Sequence, residues 1–322
     1  MLIRMVCPAP PGSLYGNRVT AERWARILRS LGHRVAIAPG CEDGPCDALV
    51  ALHARRSAEA VFRFRRRFPA SPLIVALTGT DLYCDIHRSR RAQRALEAAD
   101  RIVALQPLAA DELKPHLRGK LRVIDQSAEP TRGQARRSRK FFDVCVAGHL
   151  RAVKDPFRAA YAVRKLPPDS RIRVLHAGGA MEAAMARKAR AEEARNARYH
   201  WLGPLSHART RRLIAQSSIL VLSSRMEGGA NVISEAVVDG TPVIASRIPG
   251  SVGLLGENYP GYFPVGDTGA LAGLLMRAES DSSFYRRLQS HTERLAPLFR
   301  PAEERARWKE LLSAMARRQT RK

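Results

Sequence analysis

The sequence predicts an α/β protein of two domains, each built on a parallel sheet. Three observations predict it. Short apolar runs of strand length alternate with helical segments, the pattern of parallel strands joined by helical crossovers. The segment Ser127–Lys140, SAEPTRGQARRSRK, interrupts that alternation; from Thr131 it carries five basic residues and no acidic one, the composition of an interdomain linker. After it the strand–loop–helix pattern restarts at Phe142, and 322 residues suit two such domains.

The first half opens with a predicted strand, Leu2–Cys7, and a loop rich in Pro and Gly that runs to Arg18. A helix is expected over about Val19–Leu31, with Trp24, Ile27, Leu28 and Leu31 on one face and Gly32 as its stop. Strand, glycine loop and helix form a phosphate-approach arrangement. It lacks the spacing of a dinucleotide fingerprint. Arg18, a guanidinium beside helix amides, suits a phosphate-like oxyanion. Strands are predicted at Arg34–Ala38 and Ala48–His53, then a basic helix over Ala58–Phe68. That helix reads as a solvated cationic face with aromatics packed inward, or as a membrane-surface or polyanion patch. The apolar run Pro72–Thr78 leads into Thr78-Gly79-Thr80-Asp81. A polar turn at a strand end is a site candidate in an α/β fold; it also suits a turn followed by a helix cap. A helix at Arg88–Ala99, a strand at Arg101–Leu105, a helix at Ala109–Lys114 and a strand at Leu121–Ile124 complete this half.

The second half starts with a strand at Phe142–Ala147 and the loop Gly148-His149-Leu150-Arg151-Ala152-Val153-Lys154. A strand at Ile172–His176 ends in Gly178-Gly179, and an Ala-, Arg- and Glu-rich helix runs to about Ala194. Tyr199–Leu202 leads to Gly203-Pro204, and Ser206 caps a helix that ends near Gln216. Leu220–Ser246 then reads as strand, glycine loop, helix and strand. The helix starts near Ala230 or Asn231 and stops at Gly240, before Pro242. Its first-turn amides face Gly228 and Gly229, a ready place for a phosphate or polar ligand. Glu227 and Glu235 stand eight positions apart across this loop and helix. Each alone reads as a solvated carboxylate; as a pair flanking a glycine loop and a helix start they are far more specific. Helices at Thr268–Glu279, Ser283–Leu295 and Ala302–Arg318 follow, the last with Trp308, Leu311, Leu312 and Met315 on one face.

Composition narrows the function. Lys and Arg number 55 against 30 Asp and Glu, a formal net charge of +25, which favours anionic partners or reflects an Arg-rich coding bias. Aromatics are too sparse for a base-stacking platform. The odd set Cys7, Cys41, Cys46, Cys84 and Cys145 contains no Cys-x-x-Cys pair and suits a reducing compartment. Cys41 and Cys46 share a loop with Glu42 and Asp43, without a nearby His to complete a metal site. The chain has no apolar run of transmembrane length and no signal-peptide pattern, so a cytoplasmic protein is expected, with no stable membrane insertion.

The Glu227–Glu235 stretch resembles the two-glutamate motif of GT4-like glycosyltransferases, the nucleotide-sugar enzymes of the GT-B fold. The resemblance covers nearly the whole chain and is strongest from Phe142 to Pro264. It implies two Rossmann-like domains with parallel sheets facing a central cleft. The boundaries would be residues 1–128 for the acceptor side, 129–299 for the nucleotide-sugar side, and 300–322 packing back on the first domain. It implies that Glu227 contacts the donor sugar and Glu235 the ribose, that Lys154 grips the donor diphosphate, and that Gly203 lies beside the uracil. Gly148, Gly228, Gly229, Ala230, Asn231 and Val232 would complete the donor site. The family's arginine would fall at His149, and Arg151 is the expected substitute. Thr78 stands where the family carries a histidine. No acidic metal motif accompanies the donor elements, so no metal is expected; cations and helix amides would do its work.

A narrower resemblance concerns the short first domain. PPGSLYGNRVTAERW, LTGTDLY, GHLRAVKDP and SRMEGGANVISEA together look like the selenosugar synthases of selenoneine biosynthesis. That resemblance implies a UDP-sugar donor (UDP-N-acetylglucosamine or UDP-glucose) and selenophosphate as nucleophile, with selenophosphate synthetase as a pathway partner. Gly16, Asn17, Arg18, Thr78, Gly79, Thr80 and Asp81 would bind selenophosphate. Two rival readings stand beside it. One is a GT4-like enzyme with a hydroxyl acceptor. The other is a basic nucleic-acid-binding protein, whose binding would be salt-sensitive and independent of Glu227.

Overall fold

In the computed structural model, the described residues are 1–13, 15–40, 44–131, 133 and 136–319, with backbone only at 318 and 319. Cys41, Glu42 and Asp43 lie outside them, as do three residues of the basic segment before Phe142. The chain divides into two compact units, one made of Met1–Gln126 with the segment from Pro301 onward, the other of Ser127–Arg300.

The first unit holds strands β1 (Leu2–Val6), β2 (Arg34–Ala38), β3 (Ala48–Leu52), β4 (Leu73–Leu77), β5 (Arg101–Ala104) and β6 (Leu121–Val123). Their order is β2-β1-β3-β4-β5-β6, and every pairing is parallel. β3 and β4 are buried at every position, which is why they read as unbroken apolar runs. The helix Gly16–Ser30 covers one face, burying Trp24 and Leu28. The final helix, Pro301–Gln319, returns to this unit. Trp308 meets Trp24 edge-on with ring centroids 5.0 Å apart, and Trp24 Nε1 donates to Glu304 at 2.7 Å. Trp308, Leu311, Leu312 and Met315, read from the sequence as one apolar face, are all buried there.

The second unit holds β7 (Phe142–Ala147), β8 (Ile172–Ala177), β9 (Tyr199–Gly203), β10 (Ile219–Leu222), β11 (Val243–Ser246) and β12 (Tyr262–Phe263). The order β12-β11-β10-β7-β8-β9 is again wholly parallel. After β7 the chain adds β8 and β9 on one side and then β10 to β12 on the other. The strand order therefore reverses between β7 and β10. In the first unit the reversal lies between β1 and β3. Open parallel sheets bind ligands at such points, beyond the carboxyl ends of the strands.

Three local expectations change. The helix expected over Ala109–Lys114 is instead a 3-10 turn at Pro107–Ala110 and a short helix at Pro115–Arg118. Pro115 holds Lys114 extended (ψ 143°), so no helix passes through it. The basic segment is no free linker: Thr131 bonds Asp239 through its amide and hydroxyl, both at 2.8 Å, and Arg137 reaches Tyr285 and the Gly240 carbonyl. β3 ends at Leu52, because His53 turns the backbone into the left-handed region with φ 73°.

Candidate active site

In the second unit the loops after β7 and β10 meet at the reversal point. The loop after β7 runs through a 3-10 turn, Ala152–Lys154, and ends at Asp155, a non-glycine held at φ 44°. Such strain persists only where neighbours fix it. Arg158 pairs with the Asp155 carboxylate at 2.9 Å, and Ser223 Oγ donates to the Asp155 carbonyl at 2.9 Å. The Arg225 amide donates to the Val153 carbonyl at 2.8 Å. The two loops are thus stitched together, and Lys154 Nζ lies 2.5 Å from Glu227 Oε1. Ser224 Oγ donates to the same oxygen at 2.6 Å. Ser224 is itself held through its carbonyl by Ser246 Oγ at 2.5 Å. Lys154 and Glu227, named from the sequence, are therefore brought together. Arg151 is exposed at the start of the turn, with no ion pair among the described residues.

Two glycines fix how closely these loops approach. A Cβ on Gly250 would stand 2.0 Å from the Glu227 carbonyl oxygen, and one on Gly178 would stand 1.8 Å from that of Gly148. Beneath Gly148 lies His176, fully buried at the end of β8. It bonds the Gly148 carbonyl through Nε2 at 3.2 Å and the Tyr199 hydroxyl through Nδ1 at 2.9 Å. Burial lowers its imidazole to about 4, so at neutral pH it is uncharged, donating to the carbonyl and accepting from Tyr199. His149, beside Gly148, keeps a buried Nδ1 without a hydrogen-bond partner among the described residues.

The helix Asn231–Val238 follows the glycine pair. Ala230 at its N-cap gives no side-chain hydrogen bond, so no side chain of that residue occupies the helix start. Gly229, Asn231 and Val232 are partly exposed there, while Gly228 and Ala230 are buried. Glu235, one turn in, is 9% exposed and pairs with His207 Nε2 at 3.0 Å. It also helps burial keep the Cys145 thiol of β7 protonated, burial being the larger cause. Gly203 closes β9 with its carbonyl bonded to the Gly178 amide at 2.8 Å.

In the first unit Thr78 Oγ1 donates to Asn17 Oδ1 at 2.8 Å, joining the turn after β4 to the start of the helix Gly16–Ser30. Arg18, the next residue, pairs with Glu22 at 2.6 Å. Gly16 and Thr80 are exposed, and Asn17, Thr78 and Gly79 partly so. Asp81 departs from the ligand-binding expectation. It is fully buried; one oxygen accepts the Gly79 amide at 3.0 Å and the other the Ala54 amide at 2.9 Å. Burial pushes its carboxyl above the usual range, against the pull of His53 and of those amides. A helix cap here does not form either: Asp81 opens a π-helical turn, Asp81–Asp85, and neither Thr80 nor Asp85 gives a capping side-chain bond. His53 sits between two carboxylates, 3.9 Å from Asp81 and 3.6 Å from Asp85.

Sequence reasoning missed Ser224, Gly250, His176, His207 and the His53–Asp81 contact. Ser224 and Gly250 sit next to motif residues and are within reach of a local reading. The others depend on partners tens of positions away. Among the described residues no group of His, Cys, Asp or Glu is arranged to hold a metal ion, and no helix is long and apolar enough to cross a membrane.

No curated protein matches the chain at the sequence level. Among solved structures, HepE of Anabaena in complex with UDP-glucose is similar with a TM-score of 0.77 at 17% identity, covering 98% of this chain and 100% of that one. Sucrose-phosphate synthase from Thermosynechococcus elongatus gives 0.76 at 15% identity, with 98% of both chains covered. A glycosyltransferase from Rickettsia africae gives 0.75 at 13%, again covering 98% of both. These likenesses give the fold, GT-B. Residues 128–294, more than half of the 322, match the family described as glycosyl transferases group 1. The chain belongs to that family and is a GT4-like glycosyltransferase.

Proposed function

We propose that the protein transfers the sugar of a UDP-sugar to the selenium of selenophosphate and releases UDP. On the donor side, the Lys154–Glu227 contact supplies a cation for the diphosphate and a carboxylate for sugar hydroxyls. The structural neighbour HepE holds UDP-glucose. Glu235 would take the ribose hydroxyls once His207 gives way, and Gly203 would lie beside the base. Gly148 and the starting turn of the helix Asn231–Val238 would face the phosphates. Arg151, exposed and without an ion pair among the described residues, would turn to the diphosphate.

The observation that carries the acceptor reading is the Thr78–Asn17 hydrogen bond. It puts a neutral hydroxyl, beside Arg18, where the family resemblance places a histidine. A soft, already ionised nucleophile needs no strong base to attack, and a cation beside helix amides suits its phosphoryl oxygens. In the reaction the anomeric carbon gains a C–Se bond as its C–O bond to the diphosphate breaks, and UDP leaves with the electron pair. Water then cleaves the Se–P bond; phosphate takes the oxygen and the selenium takes a proton. Selenophosphate synthetase is the partner that would supply the nucleophile.

The test is one incubation with UDP-N-acetylglucosamine or UDP-glucose and enzymatically generated selenophosphate, read by mass spectrometry. A selenium-containing hexose with stoichiometric UDP is expected. UDP release with a hydroxyl acceptor, but no selenium-containing sugar, would overturn the acceptor and leave a conventional glycosyltransferase.

A further inference from the structure

We infer that Glu227 makes the site prefer the intact donor over the spent nucleotide, and that Ser224 positions it for this role. The inference rests on the proposed donor reading. Glu227 Oε1 has two partners, Lys154 Nζ at 2.5 Å and Ser224 Oγ at 2.6 Å. The carboxylate's surroundings are tight: the Glu227 side chain is 11% exposed, that of Lys154 31%. A diphosphate that claims Lys154 therefore takes a charge partner from a carboxylate that water reaches poorly, and that loss is costly.

The two ligands differ in what they return. A nucleotide-sugar carries hydroxyls that donate to the vacated carboxylate. A bare nucleoside diphosphate has no hydroxyl beyond its diphosphate, its ribose hydroxyls going to Glu235, and its terminal phosphate brings additional negative charge toward a fixed anion. Like charges at this range repel. Glu227 thus penalises the spent nucleotide selectively, and as UDP leaves, the Lys154–Glu227 contact re-forms. Ser224 keeps the carboxylate in place while Lys154 is away. It is 1% exposed, and Ser246 Oγ, at the end of β11, fixes its carbonyl.

The experiment is calorimetric titration of UDP and of UDP-N-acetylglucosamine into wild type, Glu227→Gln, Ser224→Ala and Lys154→Ala. Glu227→Gln should bind UDP about tenfold more tightly, the size of one charged contact, and bind the UDP-sugar no more tightly than wild type. Ser224→Ala should move the other way: with its hydroxyl gone, Glu227 depends more on Lys154 and UDP binds more weakly. Lys154→Ala should weaken both ligands. UDP binding that is unchanged or weaker in Glu227→Gln overturns the inference, as does tighter UDP binding in Ser224→Ala should the first variant not fold. A wild type that binds neither UDP nor UDP-sugar refutes the donor reading itself, and Lys154→Ala with wild-type affinity for both removes the lysine from it.

Discussion

At the reversal point of the second sheet, the Glu227 carboxylate meets a side-chain ammonium and a hydroxyl; at the strand ends of the first, the Asp81 carboxylate meets main-chain amides. Both sheets are six-stranded, wholly parallel and reverse their strand order once, but the carboxylates are spent differently. A contact to Lys154 can be exchanged for a ligand, because the lysine has a flexible stem and its own rotamers. Contacts to the Ala54 and Gly79 amides cannot be given up without refolding the loops they hold. The second unit keeps the carboxylate's partner exchangeable, and the first uses its carboxylate to hold the turn around Thr78 in place.

That contrast is open to direct attack. The largest effect should come from comparing Asp81→Ala with Glu227→Gln in urea unfolding. Asp81→Ala leaves two amides without their acceptor and should cost about 4 kcal/mol, at roughly 1–3 kcal/mol for each. Glu227→Gln should cost under about 1 kcal/mol, since the amide leaves no poorly hydrated charge behind and the more exposed Lys154 ammonium can turn to water. Equal losses would erase the distinction.

Acid provides the next. Burial holds the His176 imidazole at about 4, against an ordinary 6.5. The unfolded chain therefore takes up this proton first as pH falls. The stabilisation is complete above about pH 6.5 and is lost as pH drops toward 4, a loss of about 3 kcal/mol. Unfolding followed between pH 7 and 4 should show it, and His176→Gln should flatten that stretch of the profile. A wild-type profile already as flat as that of the variant would mean that the Gly148 carbonyl is not held this way. The smallest effect belongs to Arg18→Ala. It should raise the KM for selenophosphate several-fold, at about 1 kcal/mol for one partly exposed charged contact, and leave that for the UDP-sugar unchanged. A change confined to the UDP-sugar would move Arg18 to the donor side.

The sequence carried more of one side than of the other. Lys154 and Glu227 stood out in the sequence because each follows the end of an apolar strand, and Glu235 because it lies one turn into the helix after the glycine pair; their roles came from the family resemblance. The strands β3, β4 and β10 announced themselves as continuous apolar runs. His53 and Asp81 meet across a whole strand–helix–strand step, and nothing in ALHARRS or LTGTD states that Asp81 turns inward to the Ala54 amide. Pattern told of a polar turn there. Only packing decides which of its side chains face out. The basic segment before β7 adds a second case: its composition marked the start of the second unit, but not that Arg137 and Thr131 would find acceptors on that unit.

The return of the helix Pro301–Gln319 to the first unit bears on how the chain is made. The second unit is contiguous, Ser127 to Arg300, while the first waits for a segment synthesised after it. During translation the apolar surface around Trp24 and Leu28 stays uncovered until Trp308 emerges. The unit that begins the chain is thus the later to close. Over that interval, while the ribosome works through the second unit, a chaperone would find its binding surface on the first.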